Sequence, residues 1–243
     1  INTMNLFERI KNLFRRKIII LIHGLENKPP KDLLAQWCIR SIHEGFERIG
    51  KPVRSFGFEL VYWADLFYEM PQDPDVVDEK DPRFLDDPYT PGREAASSGK
   101  SKAVRRKVLD FLEKQLDGLF FDEKKGIKAE KISEFLVQKL FRDLDVYYHR
   151  NCVVNAFAHL KAKDAVRERL VLVLRKCRRK KILLIAHSMG TIVSYDVLSH
   201  SAKDIAIDTF ITIGSPLGLP LVMKKIFEER GMEFKKGVQT PAP

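Results

Sequence analysis

A chain of 243 residues, 44% hydrophobic and 31% charged, has enough apolar material for a globular core. Its longest apolar runs fall far short of the ~18 residues that a membrane-spanning helix needs. Three widely spaced cysteines favour free thiols in a reducing compartment over a disulfide framework or a zinc site, so we expect a cytoplasmic protein without a metal.

The net charge of +10 is spread over short basic clusters that carry no interleaved aromatic residues. A nucleic-acid footprint is a concentrated stripe or a known motif, so we expect no nucleic-acid partner. Solvated helix ends explain the clusters, and a weak association with anionic membrane surfaces is the alternative. Residues 1–16 form an amphipathic leader that is predicted to pack on the domain or, alternatively, to lie on a membrane surface.

Beyond the leader, β-branched apolar runs alternate with stretches of helical periodicity. The strands are predicted at residues 17–24, 56–65, 182–186 and 206–216. The helices are predicted at about residues 34–49, 163–177, 189–199 and 219–231. Strands that alternate with helices predict an α/β fold, with a mostly parallel sheet flanked by helices.

Residues 66–163 interrupt this alternation. A loop rich in proline and aspartate comes first, and its acidic residues lack the regular spacing of a calcium loop. Two amphipathic helical patterns follow, at about residues 104–119 and 132–144. We therefore expect a discontinuous core of residues 17–65 and 164–243, with residues 66–163 inserted as a helical cap over the functional site.

The segment "AHSMG", residues 186–190, lies where a predicted strand turns sharply into a predicted helix. A serine at such a turn is held in a strained backbone conformation, with its hydroxyl above the carboxyl edge of the sheet. Ala186 and Gly190 are small enough to let the strand and the helix pass close to each other. The helix that begins at Met189 directs its free N–H groups at the same place. We predict that Ser188 is a nucleophile.

A second motif, "ILIHGL", ends another predicted strand with a His-Gly pair. An acyl-transfer site needs two backbone N–H donors that face the developing oxyanion. We assign one donor to Met189, directly after the serine, and the other to Leu25, in the loop after the earlier strand. Gly24 lets that loop approach the substrate, His23 is expected to form structural hydrogen bonds, and His187 is expected to point away from the serine.

The segments "IIILIHGL", "LLIAHSMGT" and "FITIGSPLG" resemble three landmarks of the α/β-hydrolase superfamily in their order along the chain, most of all those of its lipase-like and esterase-like members. The usual turn is G-x-S-x-G, and the alanine here keeps the small side chain that the turn needs. The resemblance covers about residues 17–65 and 164–231. It implies a serine hydrolase that cleaves an acyl bond through an acyl-enzyme, with no metal or organic cofactor.

The substrate that the resemblance implies is a small-molecule or lipid ester, favoured over a peptide because apolar cap helices would line an acyl pocket. A peptidase or a thioesterase would use the same nucleophile. A non-catalytic binding module with the same fold is the other alternative, and the strained serine opposes it. The sequence leaves the oligomeric state open.

The general base, and the acid that orients it, are not evident near the serine. In the family the chain order is serine, acid, histidine. His200 lies too far along the helix that follows the serine, and Asp208 lies at the wrong end of its strand. The resemblance therefore implies a truncated chain, with both residues beyond Pro243. The alternative is a base supplied by the cap, either His149 or His159.

Overall fold

The structure, a computed structural model, describes residues 16–24, 26–51, 55–86, 88–92, 147–148, 151–155, 158–218, 220–229 and 231. The leader up to residue 15 and the two helical patterns predicted within the cap lie outside these residues. The strands are β1 (Lys17–Ile22), β2 (Gly57–Val61), β3 (Asn151–Asn155), β4 (Ala158–Lys161), β5 (Lys181–His187) and β6 (Thr209–Ile213). The helices are α1 (Lys31–Arg48), α2 (Ala162–Cys177), α3 (Met189–Asp196) and α4 (Pro220–Glu229), with a 3-10 turn at Ala64–Leu66 and a π-helical turn at Val197–Ser201. No helix in the described part of the chain is long and apolar enough to cross a membrane.

Four strands form a parallel sheet in the order β2–β1–β5–β6. The two central strands, β1 and β5, are nearly continuous apolar runs, with alternate residues fully buried on one face and partly buried on the other. The predicted α/β fold, a mostly parallel sheet with flanking helices, is confirmed. The carboxyl ends of all four strands meet at one edge of the sheet, which is where ligands bind in open α/β sheets.

One face of the sheet, which we call the closed face, packs against α2, α3 and α4. Alternate residues of β1 and β5 point to it and are almost completely buried: Ile18, Ile20, Ile22, Ile182, Leu184 and Ala186. The helix α2 buries the side on which its apolar residues recur at helical spacing: Val166, Leu170, Leu174 and Cys177. Removing this apolar surface from water is the main favourable term in the stability of the fold.

The opposite face, which we call the open face, is covered only in part among the described residues. The helix α1 lies over its β2 end, where Leu34 and Ala35 pack with Leu60, yet no residue of α1 is buried. The apolar side chains of this face continue to β6, the outermost strand of the described sheet, where Ile211 is 41% exposed and Ile213 is 50% exposed. The central strands contribute Ile19, Leu21, Leu183 and Ile185 to the same face.

The described part of the inserted region contains a β-hairpin that the sequence analysis did not predict. The strands β3 and β4 pair as an antiparallel hairpin, and its backbone lies against α2 and the 3-10 turn that follows β2. The stretch "NCVVN" is short and β-branched at its centre, which favours a strand. The prediction followed the longer helical patterns and missed this hairpin, which leads directly into α2 at Ala162.

The loop rich in proline and aspartate is attached to the core at two places. Near its start, the side-chain amide of Asn27 donates a 2.8 Å hydrogen bond to the carbonyl of Met70. Further along, the Tyr89 hydroxyl and the Gly92 N–H both donate to the carboxylate of Glu44 in α1. The first part of the insertion therefore packs beside the loop after β1 and along α1.

Candidate active site

Ser188 joins the end of β5 to the start of α3 in a conformation that few side chains adopt. Its φ is 51° and its ψ is −121°. Such a conformation costs a residue other than glycine about 1–3 kcal/mol, and it persists only where the surrounding structure enforces it. Among the described residues other than glycine, the one further positive φ belongs to Glu26, in the loop after β1. Both strained residues follow the carboxyl ends of neighbouring strands, and strain of this kind clusters at functional sites.

Hydrogen bonds hold the Ser188 backbone on both sides. Its N–H donates to the carbonyl of Ile213 in β6 at 2.8 Å. Its carbonyl accepts from the N–H of Thr191 at 2.9 Å and from the hydroxyl of Thr191 at 2.7 Å. The neighbouring strand and the first turn of α3 together enforce the strained turn.

The Ser188 hydroxyl is not used to build the fold. Serine is a preferred N-cap residue because its side-chain oxygen accepts from the N–H groups of the first helical turn. Ser188 occupies the N-cap position of α3, but its side chain forms no capping hydrogen bond. The first N–H groups of α3, including that of Met189, have no acceptor within the helix and carry the positive end of its dipole. A free hydroxyl beside such donors is what an acyl-transfer site requires.

Gly24 lies against the serine, just after the end of β1. A β-carbon on Gly24 would lie 2.8 Å from Ser188 Cβ and 3.0 Å from His187 Nδ1. Real Cβ atoms do not come so close, so any side chain would push the loop after β1 away from the serine. The two segments that the oxyanion assignment needs are therefore in contact. Leu25, the second predicted donor, lies outside the described residues, and its role stays a prediction.

Gly190 is required by close packing, but against a different strand from the one that the sequence suggested. A β-carbon there would lie 2.8 Å from the backbone oxygens of Ile22 and His23. The prediction was a close pass between α3 and its own preceding strand, β5. In a parallel βα unit the helix packs back across the sheet, so it meets the neighbouring strand β1 instead. Ala186, on β5, is buried on the closed face.

His23 holds the loop after β1 in place. Its Nδ1 donates to the carbonyl of Gly24 at 2.7 Å, and its Nε2 accepts from the N–H of Trp63 at 3.0 Å. The imidazole stacks on the Trp63 ring, with 4.8 Å between ring centroids. Burial lowers the pKa of His23 to about 3, which keeps the ring neutral and its Nε2 able to accept. Because both ring nitrogens are engaged, His23 is not the base for the serine.

His187, the last residue of β5, borders the same glycine as the serine. Its Nδ1 lies 3.0 Å from the Cβ position of Gly24, and its Nε2 lies 3.9 Å from that of Gly214. The ring therefore lies between the loops after β1 and β6, at the edge of the candidate site. Although the side chain is exposed, partial desolvation lowers the pKa of His187, and the ammonium of Lys28 lowers it further. A neutral imidazole faces this edge at pH 7.

None of the histidine side chains that the structure describes is hydrogen-bonded to the Ser188 hydroxyl. His200 lies in the π-helical turn and donates to a backbone carbonyl one turn earlier, at 3.0 Å. His43 lies on α1 and packs on an aromatic ring. The side chains of His149 and His159 lie outside the described residues.

Two carboxylates near the sheet, Asp208 and Asp196, have structural partners. Asp208 accepts a 2.8 Å hydrogen bond from the N–H of Ile182 at the amino end of β5, which is the edge opposite the serine. Asp196, buried in α3, accepts from the Tyr147 hydroxyl at 3.1 Å and pairs with the Lys163 ammonium at 3.1 Å. Among the described residues, no group of three or more His, Cys, Asp or Glu side chains could hold a metal ion.

Sequence reasoning missed three residues that hold the site together. Thr191 and Ser215 form a pair of hydroxyls beside the serine, with 3.0 Å between their oxygens. Trp63 packs under His23. A threonine in the first turn of a helix is a local signal for a bond back to the N-cap carbonyl, so Thr191 could have been found. The other two contacts depend on which strands are neighbours in the sheet, and that order cannot be read from short segments.

One comparison with known proteins found a similarity. Residues 155–240, about a third of the chain, match the family model of the PGAP1-like alpha/beta domain. The matched stretch contains β5, the serine turn, α3 and β6. Together with the parallel sheet, this similarity supports a fold of the α/β-hydrolase superfamily. No curated protein and no solved structure matches the chain.

Proposed function

We propose that this chain carries the nucleophile of a serine hydrolase that cleaves an acyl bond, most of all a carboxylic ester or a lipid ester. One observation carries the proposal. Ser188 is held at a φ of 51° and a ψ of −121° at the start of a helix, while its hydroxyl makes no capping bond. A fold that needed only a cap at this position would use the hydroxyl and would not need the strain.

The proposed reaction is an acyl transfer through the serine. The Ser188 oxygen attacks the acyl carbonyl carbon while a general base takes the hydroxyl proton. The carbonyl oxygen becomes an oxyanion that accepts hydrogen bonds from the Met189 N–H and, in the proposal, from the Leu25 N–H. The intermediate collapses, the leaving alcohol takes the proton back, and an acyl-enzyme remains. Water then repeats the sequence, releasing the acid and restoring the serine.

An apolar surface beside the serine supports an ester of an apolar acid as the substrate. Ile213 accepts the hydrogen bond from the Ser188 N–H through its carbonyl, and half of its side chain is exposed. Ile211 continues the exposed apolar surface along the same strand and face. When an acyl chain covers the apolar side chains that line a binding site, the burial of apolar surface favours binding. A peptide bond would bring polar groups to the same surface.

The nucleophile assignment is tested with a fluorophosphonate probe on the full-length protein. We expect a covalent adduct on the peptide that contains Ser188, found by mass spectrometry. Hydrolysis of p-nitrophenyl butyrate should fall by roughly a thousandfold or more in Ser188→Ala, because the covalent step is lost. Ser55→Ala, an exposed serine just before β2, is the matched control and should keep full activity. Labelling that survives Ser188→Ala would overturn the assignment.

The same assay tests which histidine acts as the general base. His149→Ala and His159→Ala test the two histidines of this chain whose side chains the structure does not describe. A thousandfold loss of hydrolysis in one variant, with Ser188 still present, identifies the base. Full activity in both variants excludes a base from the inserted region.

A non-catalytic binding module is the second candidate, because no described histidine is hydrogen-bonded to Ser188. The two candidates give opposite results with the probe, since a binding module without a base leaves the serine unreactive. A peptidase or thioesterase would also be labelled. Comparing p-nitrophenyl esters with a matched thioester and a matched anilide distinguishes these activities by their relative kcat/KM.

A further inference from the structure

A chain of hydrogen bonds runs from the loop after β6 to the backbone of the candidate nucleophile. The N–H of Leu217 donates to the Ser215 hydroxyl oxygen at 3.4 Å. The Ser215 hydroxyl donates to the Thr191 oxygen at 3.0 Å, and the Thr191 hydroxyl donates to the carbonyl of Ser188 at 2.7 Å. The first of these bonds is long and the last is short, so the hydrogen bonds become shorter towards Ser188.

The donor and acceptor of each bond in this hydrogen-bonded series can be assigned by counting protons. A backbone N–H only donates and a carbonyl oxygen only accepts, while each hydroxyl has one proton to give. The Thr191 proton must go to the Ser188 carbonyl, so the Thr191 oxygen is free to accept from Ser215. Thr191 is fully buried, and hydrogen bonds in such surroundings polarise one another along a chain.

The acceptor at the end of the chain belongs to a peptide group that matters for catalysis. The Ser188 carbonyl and the Met189 N–H are the two ends of one planar peptide unit. Bonds that fix the direction of the carbonyl therefore fix the direction of the N–H as well. A carbonyl that accepts two hydrogen bonds also polarises its own peptide unit and strengthens the N–H as a donor.

We propose that Thr191 and Ser215 are positioning residues, which hold Ser188 in its strained conformation and aim the Met189 N–H at the oxyanion. The proposal rests on the serine hydrolase function proposed above. The Ile213 carbonyl fixes the N–H side of Ser188, and the hydroxyl pair fixes its carbonyl side. The Ile213 carbonyl belongs to β6 and Ser215 to the loop that follows it, so this part of the chain contacts Ser188 directly on one side and through Thr191 of α3 on the other.

An ordinary helix start would not need this arrangement. A threonine in the first turn commonly bonds back to the N-cap carbonyl by itself. Here Ser215, 24 residues further along the chain and on a separate loop, adds a second hydroxyl to that bond. Gly214, with a φ of 55°, allows the polypeptide backbone to turn between β6 and Ser215.

The experiment measures how fast the full-length protein reacts with a fluorophosphonate probe. Thr191→Val keeps the shape but removes the hydroxyl, Thr191→Ser keeps the hydroxyl, and Ser215→Ala removes only the outer member. We expect about a tenfold lower second-order labelling rate in Thr191→Val, because one buried hydrogen bond to a functional group is lost. Thr191→Ser should react within about threefold of the wild type, and Ser215→Ala about threefold more slowly. Thr209→Val, in the exposed first position of β6, is the matched control and should react at the wild-type rate.

Three outcomes would overturn the proposal. A folded Thr191→Val that reacts at the wild-type rate shows that the hydroxyl does not position the serine. Equal losses in Thr191→Ser and Thr191→Val show that packing, not the hydroxyl, is responsible. If Thr191→Val does not fold, Ser215→Ala replaces it as the test: Ser215 has an exposed side chain, and a wild-type labelling rate in Ser215→Ala then contradicts the proposed hydrogen-bond series.

The proposed function and this inference fail in different ways. Labelling that is absent in the wild type removes the serine hydrolase function, and the positioning role with it. Labelling that is lost in Ser188→Ala but unchanged in Thr191→Val keeps the nucleophile and removes only the positioning role. With p-nitrophenyl butyrate, a positioning role predicts a lower kcat at an unchanged KM, because the bond acts when the oxyanion forms.

Discussion

The two faces of the sheet are built differently, and the candidate nucleophile sits where they meet. On the closed face, all eight residues of α3 are buried, and α2 buries seven of its own. On the open face, α1 is more than twice as long as α3, yet none of its residues is buried. The length of a helix therefore does not show whether it supports the candidate site. The burial of its residues does, and it singles out α3.

This difference bears on the candidate site. A reactive group must be held within a fraction of an ångström by residues that cannot themselves move. The closed face supplies such support, because all residues of α3 are buried and the helix begins directly after Ser188. Within the described part of the chain, the open face leaves Ile211 and Ile213 partly exposed beside Ser188. Among the described residues, buried support and a partly exposed apolar surface thus lie on opposite sides of the Ser188 turn.

The largest expected effect contrasts one apolar residue from each face. Leu184→Ala removes a completely buried side chain from the closed face and should lower the free energy of unfolding by about 2–5 kcal/mol. Ile211→Ala removes a side chain that is 41% exposed on the open face and should cost less than about 1 kcal/mol. Urea unfolding of both variants measures the difference. Similar losses would show that the open face is buried in solution.

Two glycines give the next contrast, because substitution by alanine should destabilise the protein at the α3 position and stabilise it at the α1 position. Gly190→Ala places a carbon 2.8 Å from two backbone oxygens, which cannot shift easily, and should cost about 1–3 kcal/mol. Gly45→Ala lies in α1 with nothing within 4 Å and should stabilise the protein by roughly 0.5–1 kcal/mol through helix propensity. Thermal melting of the two variants gives the signs directly. A destabilised Gly45→Ala would indicate a close neighbour of α1.

The last contrast concerns pH and the buried imidazole under the site, whose effect is small at neutral pH and grows in acid. Burial lowers the pKa of His23 from 6.5 to about 3, so the unfolded chain binds a proton between these values and the folded chain does not. Stability from this group is therefore complete above pH 6.5 and is lost as the pH falls towards 3. The loss should be at most about 1.4 kcal/mol for each pH unit.

Urea unfolding at pH 7, 5.5 and 4.5 tests this titration. His23→Gln has no titrating group at this position, so its stability should fall less steeply with pH than that of the wild type. The comparison uses slopes, so a general loss of stability in the variant does not affect it. Parallel slopes for the two proteins would rule out His23 as the titrating group.

The sequence by itself determined the local parts of this protein. Alternating apolar runs and helical stripes fixed the parallel α/β fold, because strands and helices have different side-chain periods. The turn at Ser188 could also be predicted, since small residues on either side and a following helix are all neighbours in the chain. The hairpin of β3 and β4 was missed because its strands are short and lie beside stronger helical patterns.

Only the tertiary structure decided which residues meet at the serine. The order β2–β1–β5–β6 brings Gly24 from β1 against Ser188, and Ser215 from the loop after β6 against Thr191. The same order places Trp63, after β2, under the imidazole of His23. Strand order depends on long-range packing of whole faces, and a short segment of sequence carries no record of its neighbours in the sheet. The local pattern therefore indicated Ser188 as the candidate nucleophile, and the packing of the sheet decided which residues hold it.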